Sequence, residues 1–163
     1  GIIKKDYPDS DVYITPTLKE MRQVAATGVE VVACQVTGQA RPNGEKLEEI
    51  IPQFREEFPN TLLMADTGDL NDVKEANRLG FDIIGTTMHG YTPTTKGMNI
   101  ADNDFEYLKE VLKVAEHPVI AEGKIDLPQK AKRVLELGVH ALVVGGAITR
   151  PLEIANKFMD AIK

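Results

Sequence analysis

A short apolar run, Ala141-Leu-Val-Val144, opens directly onto Gly145 and Gly146, followed by Ala147-Ile-Thr-Arg150 and Pro151. Paired glycines let a main chain approach an anion closely, and the amides that open a following helix aim unpaired N–H groups at it. Arg150 can add a charged fork to a phosphate oxygen. Pro151 suits a first helical turn, where its missing N–H costs nothing. The chemistry written in this segment is phosphate binding; the plainer alternative is a strand-to-helix turn that binds nothing.

Other residues able to do chemistry stand where apolar runs end: Lys4, Asp66, Thr86, Thr87 and Glu122. The runs at 1–4, 29–34, 61–66, 81–86, 118–122 and 141–145 are near-continuously apolar, as parallel strands buried on both faces must be. Between them lie helical patterns at about 17–27, 45–57, 70–79, 103–115, 128–137 and 151–162. Gly28, Gly80 and Gly138 stand where three of these helices must close in the left-handed conformation before the next strand. The result is a string of six β-α units.

Such a string makes either a doubly wound sheet or a β/α barrel. Polar residues recurring at the C-terminal ends of successive strands, with a phosphate-type turn after the last, favour the barrel. The expected fold is an α/β TIM (β/α)8 barrel of the phosphate-binding type, here with six of eight units, in one partial-barrel domain spanning 1–163. A full barrel typically takes about 250 residues, so roughly two N-terminal units are expected to precede Gly1. Without them two strand edges would lie open, and the 163 residues alone are expected to be inactive or to aggregate.

The composition is that of an ordinary globular chain: with 163 residues, 42% hydrophobic and 27% charged, it can bury one core. A formal net charge of −6 argues against nucleic acid as a partner, because phosphate backbones are bound through clustered Lys and Arg. No apolar stretch approaches the length of a membrane span. The single Cys34 has no partner for an internal disulfide and lies within Val31-Val-Ala-Cys34, a core setting.

The segments Gly1-Ile-Ile-Lys-Lys-Asp-Tyr-Pro8, Val12-Tyr-Ile-Thr-Pro-Thr17, Leu62-Leu-Met-Ala-Asp66, Gly85-Thr-Thr87, Gly90-Tyr-Thr92, Val119-Ile-Ala-Glu-Gly123 and Val144 to Pro151 occur in an order that resembles the N-acetylmannosamine-6-phosphate 2-epimerase family. The resemblance runs the length of the chain and corresponds to the family's third through eighth β-α units. It implies a cytoplasmic enzyme of sialic acid catabolism, possessing a homodimeric form, that converts N-acetylmannosamine 6-phosphate to N-acetylglucosamine 6-phosphate without metal or organic cofactor. The only partner implied is a small sugar phosphate, with neither nucleic acid nor membrane.

Inverting C2 of an acetamido sugar requires removing a proton from carbon, which becomes feasible once the ring opens and C2 lies beside the C1 aldehyde. An acid/base pair on opposite faces of that carbon can take one proton and return another. The family motif assigns these parts to Lys4 and Glu122. A lysine acts as base near neutrality only with a lowered pKa, and a carboxyl acts as acid only with a raised one. Strand alternation turns Lys4 and Lys5 to opposite faces, with Lys5 facing a helix.

Asp66 is expected either to bind sugar hydroxyls, to steady the acid/base pair, or to cap a helix. Gly123, Gly145, Gly146 and Arg150 are expected at the phosphate. Thr86, Thr87 and Tyr91 head the long connection 88–101 and either contact substrate or order that loop. His89 lies in the same loop, whereas His117 and His140 precede strands, away from the expected mouth. One departure from the family pattern is Cys34-Gln-Val-Thr37, in which the amide Gln35 replaces a carboxylate. Two other classes fit the pattern: a different phosphate-binding barrel isomerase, such as a pentose-phosphate epimerase, and a non-catalytic sugar-phosphate binder.

Overall fold

A computed structural model describes residues Gly1–Lys163. In chain order the elements are α1 (Leu18–Ala25), β1 (Val31–Gln35), α2 (Leu47–Glu57), β2 (Leu62–Asp66), α3 (Leu70–Arg78), β3 (Ile83–Gly85), α4 (Asp102–Val114), β4 (Val119–Glu122), α5 (Pro128–Glu136), β5 (Ala141–Val143), α6 (Gly146–Thr149) and α7 (Pro151–Ala161). The five strands form one parallel sheet in the order β1-β2-β3-β4-β5. A doubly wound sheet reverses direction at a switch point; a sheet that adds every new strand on the same side winds as a barrel does. The strand order therefore decides for the barrel class.

The helices end where their glycines require. Gly28, Gly80 and Gly138 have φ of +82°, +74° and +95°, values that cost a residue bearing a Cβ strain and cost glycine nothing. The core between sheet and helices joins Val32, Leu63, Ile84 and Val119 of the strands to Met21, Phe54, Val73 and Leu108 of α1 to α4. Cys34 is fully buried among them, and burial pushes its thiol up to about 11, so it is an inert packing group. The last unit is less covered. β5 pairs with β4 on one side only, and α7 exposes Leu152, Phe158 and Met159.

The expected strand at 1–4 is not a strand. It begins as one, with the Gly1 amine donating to the Val31 carbonyl at 2.6 Å and the Ala33 amide donating to the Gly1 carbonyl at 3.0 Å. Then Thr15 captures Ile3 from both sides: its hydroxyl accepts from the Ile3 amide at 3.2 Å, and its amide donates to the Ile3 carbonyl at 2.7 Å. With Ile3 occupied, the next ladder bond of β1, from the Gln35 amide, goes to Ile14 instead at 3.0 Å. Residues 3–15 thus make an antiparallel excursion, with bridges Lys4 to Ile14 and Tyr7 to Ser10.

Gln35 and Arg41 hold the returning arm. The Gln35 side-chain oxygen accepts from the Tyr13 and Ile14 amides at 3.1 and 3.4 Å, and its Nε2 donates to the Thr37 hydroxyl at 3.0 Å. The buried Arg41 guanidinium donates to three carbonyls, of Thr15, Pro16 and Gln35. The Gln35 oxygen is therefore taken up by two backbone amides, while its Nε2 donates to a side-chain hydroxyl. Replacing Gln35 by Leu strands two amides, and each buried unsatisfied group costs about 1–3 kcal/mol. The urea midpoint of Gln35→Leu is expected to fall accordingly, by about 2–4 kcal/mol of stability at unchanged m-value.

Candidate active site

The C-terminal ends of the strands surround a cleft of about 690 Å³. Its lining includes Lys4, Tyr13, Thr87 and Glu122 together with Gly123, Gly145, Gly146 and Arg150. Candidate acid/base residues and candidate phosphate residues thus face a single space, which Tyr91 borders as well. Lys5 turns away, as strand alternation requires: its ammonium lies 3.7 Å from Glu20 of α1 and 4.8 Å from the centre of the Tyr7 ring.

Glu122 closes β4, and an unusual ladder rung fixes it. Past the end of β3, the Thr86 hydroxyl accepts from the Glu122 amide at 2.9 Å and donates to the Glu122 carbonyl at 2.8 Å. A side chain here does the work of a backbone partner. Thr86 is fully buried and off the cleft wall, so its geometry is that of a backbone anchor for Glu122, not of a substrate contact. Thr87, in contrast, faces the cleft. Its hydroxyl donates to Asp66 Oδ1 at 2.6 Å and lies 3.3 Å from Glu122 Oε2.

Asp66 ends β2 behind Thr87. It is 3% exposed and is not among the residues lining the cleft, a position that sets it behind Thr87 and near Glu122. The cap of α3 is a different residue: Asp69 accepts from the Asn71 and Asp72 amides at 2.8 and 3.2 Å. Burial pushes the Asp66 carboxyl up to about 7, against the Thr87 hydrogen bond and the Lys4 charge, which both favour ionisation, while Glu122 adds repulsion. Burial raises the Glu122 carboxyl too, opposed by Thr87 and Lys4.

The glycine segment forms two helices where one was expected. Gly145 caps the four-residue α6, the chain breaks at Arg150 (φ −120°, ψ 79°), and α7 starts at Pro151. Phosphate sites of β/α barrels frequently use the N-terminus of a short extra helix after the late strands. Arg150 is exposed and pairs with Glu153 at 3.0 Å. Gly123 has φ +102°, so the chain turns sharply straight after Glu122.

Some lining residues escaped the sequence reading. Tyr13 reaches the cleft because Gln35 pins its amide, a tertiary contact no local pattern signals. Lys124 follows Gly123, donates to the Met98 carbonyl at 3.1 Å and stands 5.7 Å from the Tyr91 ring centre, tying down the long loop. His89 is not at the cleft: it is buried, hydrogen-bonded to the Gly68 carbonyl at 2.8 Å and stacked on Tyr107 at 3.8 Å. No group of three or more His, Cys, Asp or Glu side chains gathers as metal ligands would.

Residues 1–163 match, over their whole length, the family described as "Putative N-acetylmannosamine-6-phosphate epimerase". The chain belongs to this epimerase family. A relative from Pediococcus pentosaceus named as an N-acetylmannosamine-6-phosphate 2-epimerase is 74% identical over 163 residues, all of this chain and 71% of the relative. The solved N-acetylmannosamine-6-phosphate 2-epimerase from Clostridium perfringens superposes with a TM-score of 0.91 at 43% identity, covering 99% of this chain and 69% of that one. A thiamine phosphate pyrophosphorylase from Pyrococcus furiosus, with TM-score 0.57 and 21% identity over 82% of this chain and 56% of its own, shares the fold alone. The epimerase chain contains no helix long and apolar enough to cross a membrane.

The raised Asp66 carboxyl carries a sign. The folded state holds its proton up to about pH 7, whereas the unfolded chain releases it near 3.8, so this group's stabilisation is complete below 3.8 and is lost as pH rises to 7. Asp66→Asn keeps an acceptor for Thr87 and has nothing to ionise. Its stability relative to wild type is expected to rise by on the order of 4 kcal/mol between pH 4 and pH 8 in denaturant titrations. A constant difference across that range would contradict the assignment.

Proposed function

We propose that the protein interconverts N-acetylmannosamine 6-phosphate and N-acetylglucosamine 6-phosphate by moving a proton at C2. The observation that carries the reading is that Lys4 and Glu122 line the same cleft as Gly145, Gly146 and Arg150, in a chain of this epimerase family. The phosphate anchors on the glycine amides and the Arg150 fork. With the ring open, the C1 aldehyde acidifies the C2 proton. Lys4 or Glu122 removes it from one face, and the other residue returns a proton to the opposite face.

The environment supports these roles. Burial raises the Glu122 carboxyl above its ordinary value, the direction that general acid work requires. Gly123, with φ +102°, allows a second close approach of the main chain to the phosphate. In this reading residues 1–163 act as one barrel unit of a cytoplasmic, homodimeric enzyme of sialic acid catabolism, and its partner is the sugar phosphate.

The test is incubation with N-acetylmannosamine 6-phosphate in D2O, both with the 163 residues and with the protein extended to the length of its relatives, following C2 deuterium and epimer formation by NMR. Lys4→Ala and Glu122→Ala are each expected to slow exchange by about 10²–10⁴-fold, the usual contribution of a positioned acid or base. Arg150→Ala is expected to raise KM by roughly 10–100-fold with little change in kcat, as loss of one charge-assisted hydrogen bond implies. Sugar-phosphate binding without exchange at either length would defeat the reading.

A further inference from the structure

Asp66 holds a buried carboxyl that the mechanism above does not use. Its one side-chain hydrogen bond is to the Thr87 hydroxyl at 2.6 Å, and no side-chain atom of Asp66 borders the cleft. Thr87 does border it, and so does Glu122, whose Oε2 lies 3.3 Å from the same hydroxyl. The β3–β4 register explains the meeting. Gly85 faces Ile120, and two residues further on Thr87 stands level with Glu122.

A hydroxyl has one proton to give and lone pairs with which to receive. While Thr87 donates to Asp66, its contact with Glu122 is a hydrogen bond only when Glu122 carries a proton and donates it. When Thr87 turns its proton to Glu122, Asp66 must be the protonated partner. The three groups therefore form a chain with one mobile proton beyond that of the hydroxyl itself.

We propose that Thr87 relays a proton between Asp66, which is closed off from the cleft, and Glu122, which faces it, so that Asp66 serves as proton reserve for Glu122. The inference rests on the reading that Glu122 exchanges a proton with C2. After Glu122 has protonated the sugar, its carboxylate forms a new O–H bond with the Thr87 proton as Thr87 Oγ1 forms one with the Asp66 proton. The negative charge passes from Glu122 to Asp66 and no alkoxide is left; the proton that Lys4 took from C2 then returns through the cleft to Glu122 and along the same hydroxyl to Asp66, which resets the chain. In the reverse direction, when Glu122 takes the proton from C2, the same bonds form and break in the opposite order. Thr87 acts through its neighbours, a positioning residue for the proton. Thr86 holds the Glu122 backbone at the register this requires.

Steady-state kinetics on N-acetylmannosamine 6-phosphate, with the protein at the length of its relatives, test the relay. Thr87→Val and Asp66→Asn are each expected to lower kcat by about 10²-fold with KM moved less than about threefold. The double variant is expected to be no slower than the slower single one, because a chain in series breaks only once. Thr87→Ser, which restores the hydroxyl, should recover most of what Thr87→Val loses. A Thr87→Val or Asp66→Asn variant near wild-type kcat, a Thr87→Ser variant as slow as Thr87→Val, or a double variant slowed by the product of the single effects would each overturn the relay while leaving the epimerase reading intact. A wild-type protein that forms no epimer would remove both. If Thr87→Val fails to fold, Asp66→Asn and Thr87→Ser decide the question.

Discussion

The register between β3 and β4 is the constraint on which the cleft depends. Strand β3 is only three residues long, and its ladder with β4 stops before Glu122 is reached. The Thr86 hydroxyl extends it by one rung, accepting from and donating to the Glu122 main chain. Without that rung the last residue of β4 would have two unpaired backbone groups beside a polar cleft, and its side chain would have no fixed origin. With it, Glu122, Thr87 and Asp66 share a line of contacts across three adjacent strand ends. Preorganisation of this kind is established before substrate arrives and is not a cost of the chemical step.

Electrostatics then follow from burial. Asp66 sits behind a hydroxyl with no access to solvent, so its charged form is disfavoured. Glu122 is similarly but less enclosed, and the Lys4 charge pulls both toward ionisation. Two carboxyls pushed up and one cation pulling down make a site whose net protonation is set within a few ångströms. The same cleft is lined by Gly123, Gly145, Gly146 and Arg150.

Much of this was legible in the sequence, because the informative signals were local. Gly28, Gly80 and Gly138 marked helix ends through a backbone requirement only glycine meets cheaply, and all five strands of the sheet lie within or beside the apolar runs. Glu122 stands at a strand end as expected, and it shares one cleft with Lys4, Gly145 and Gly146, although Lys4 arrives there on an antiparallel arm and not at the end of a sheet strand. What stayed hidden was tertiary. The strand expected at 1–4 fails because Thr15, twelve residues on, takes both hydrogen-bonding groups of Ile3. Neighbouring threonines at 86 and 87 read alike in sequence, yet one closes a ladder and the other faces the cleft. His89 looked available in a loop, and Tyr107 of α4 covers it.

The sequential strand order bears on how the molecule comes together. Each strand pairs with the one made just before it: Val31 with Leu62, Met64 with Ile83, Ile84 with Val119 and Ile120 with Ala141. No ladder in the sheet waits for a distant part of the chain, so each closes a loop of modest entropy and offers its free edge to the next unit. Growth along such a sheet is nearly one-dimensional, and a rib added late leans only on its predecessor. The cleft carboxyl Glu122 lies on β4 and the enclosed Asp66 behind it on β2, with β3 as the rib between them. The spacing of Asp66 and Glu122 is therefore inherited from two neighbour-to-neighbour steps, and along the sheet a perturbation at the β5 end has to pass through β4 before it can disturb them.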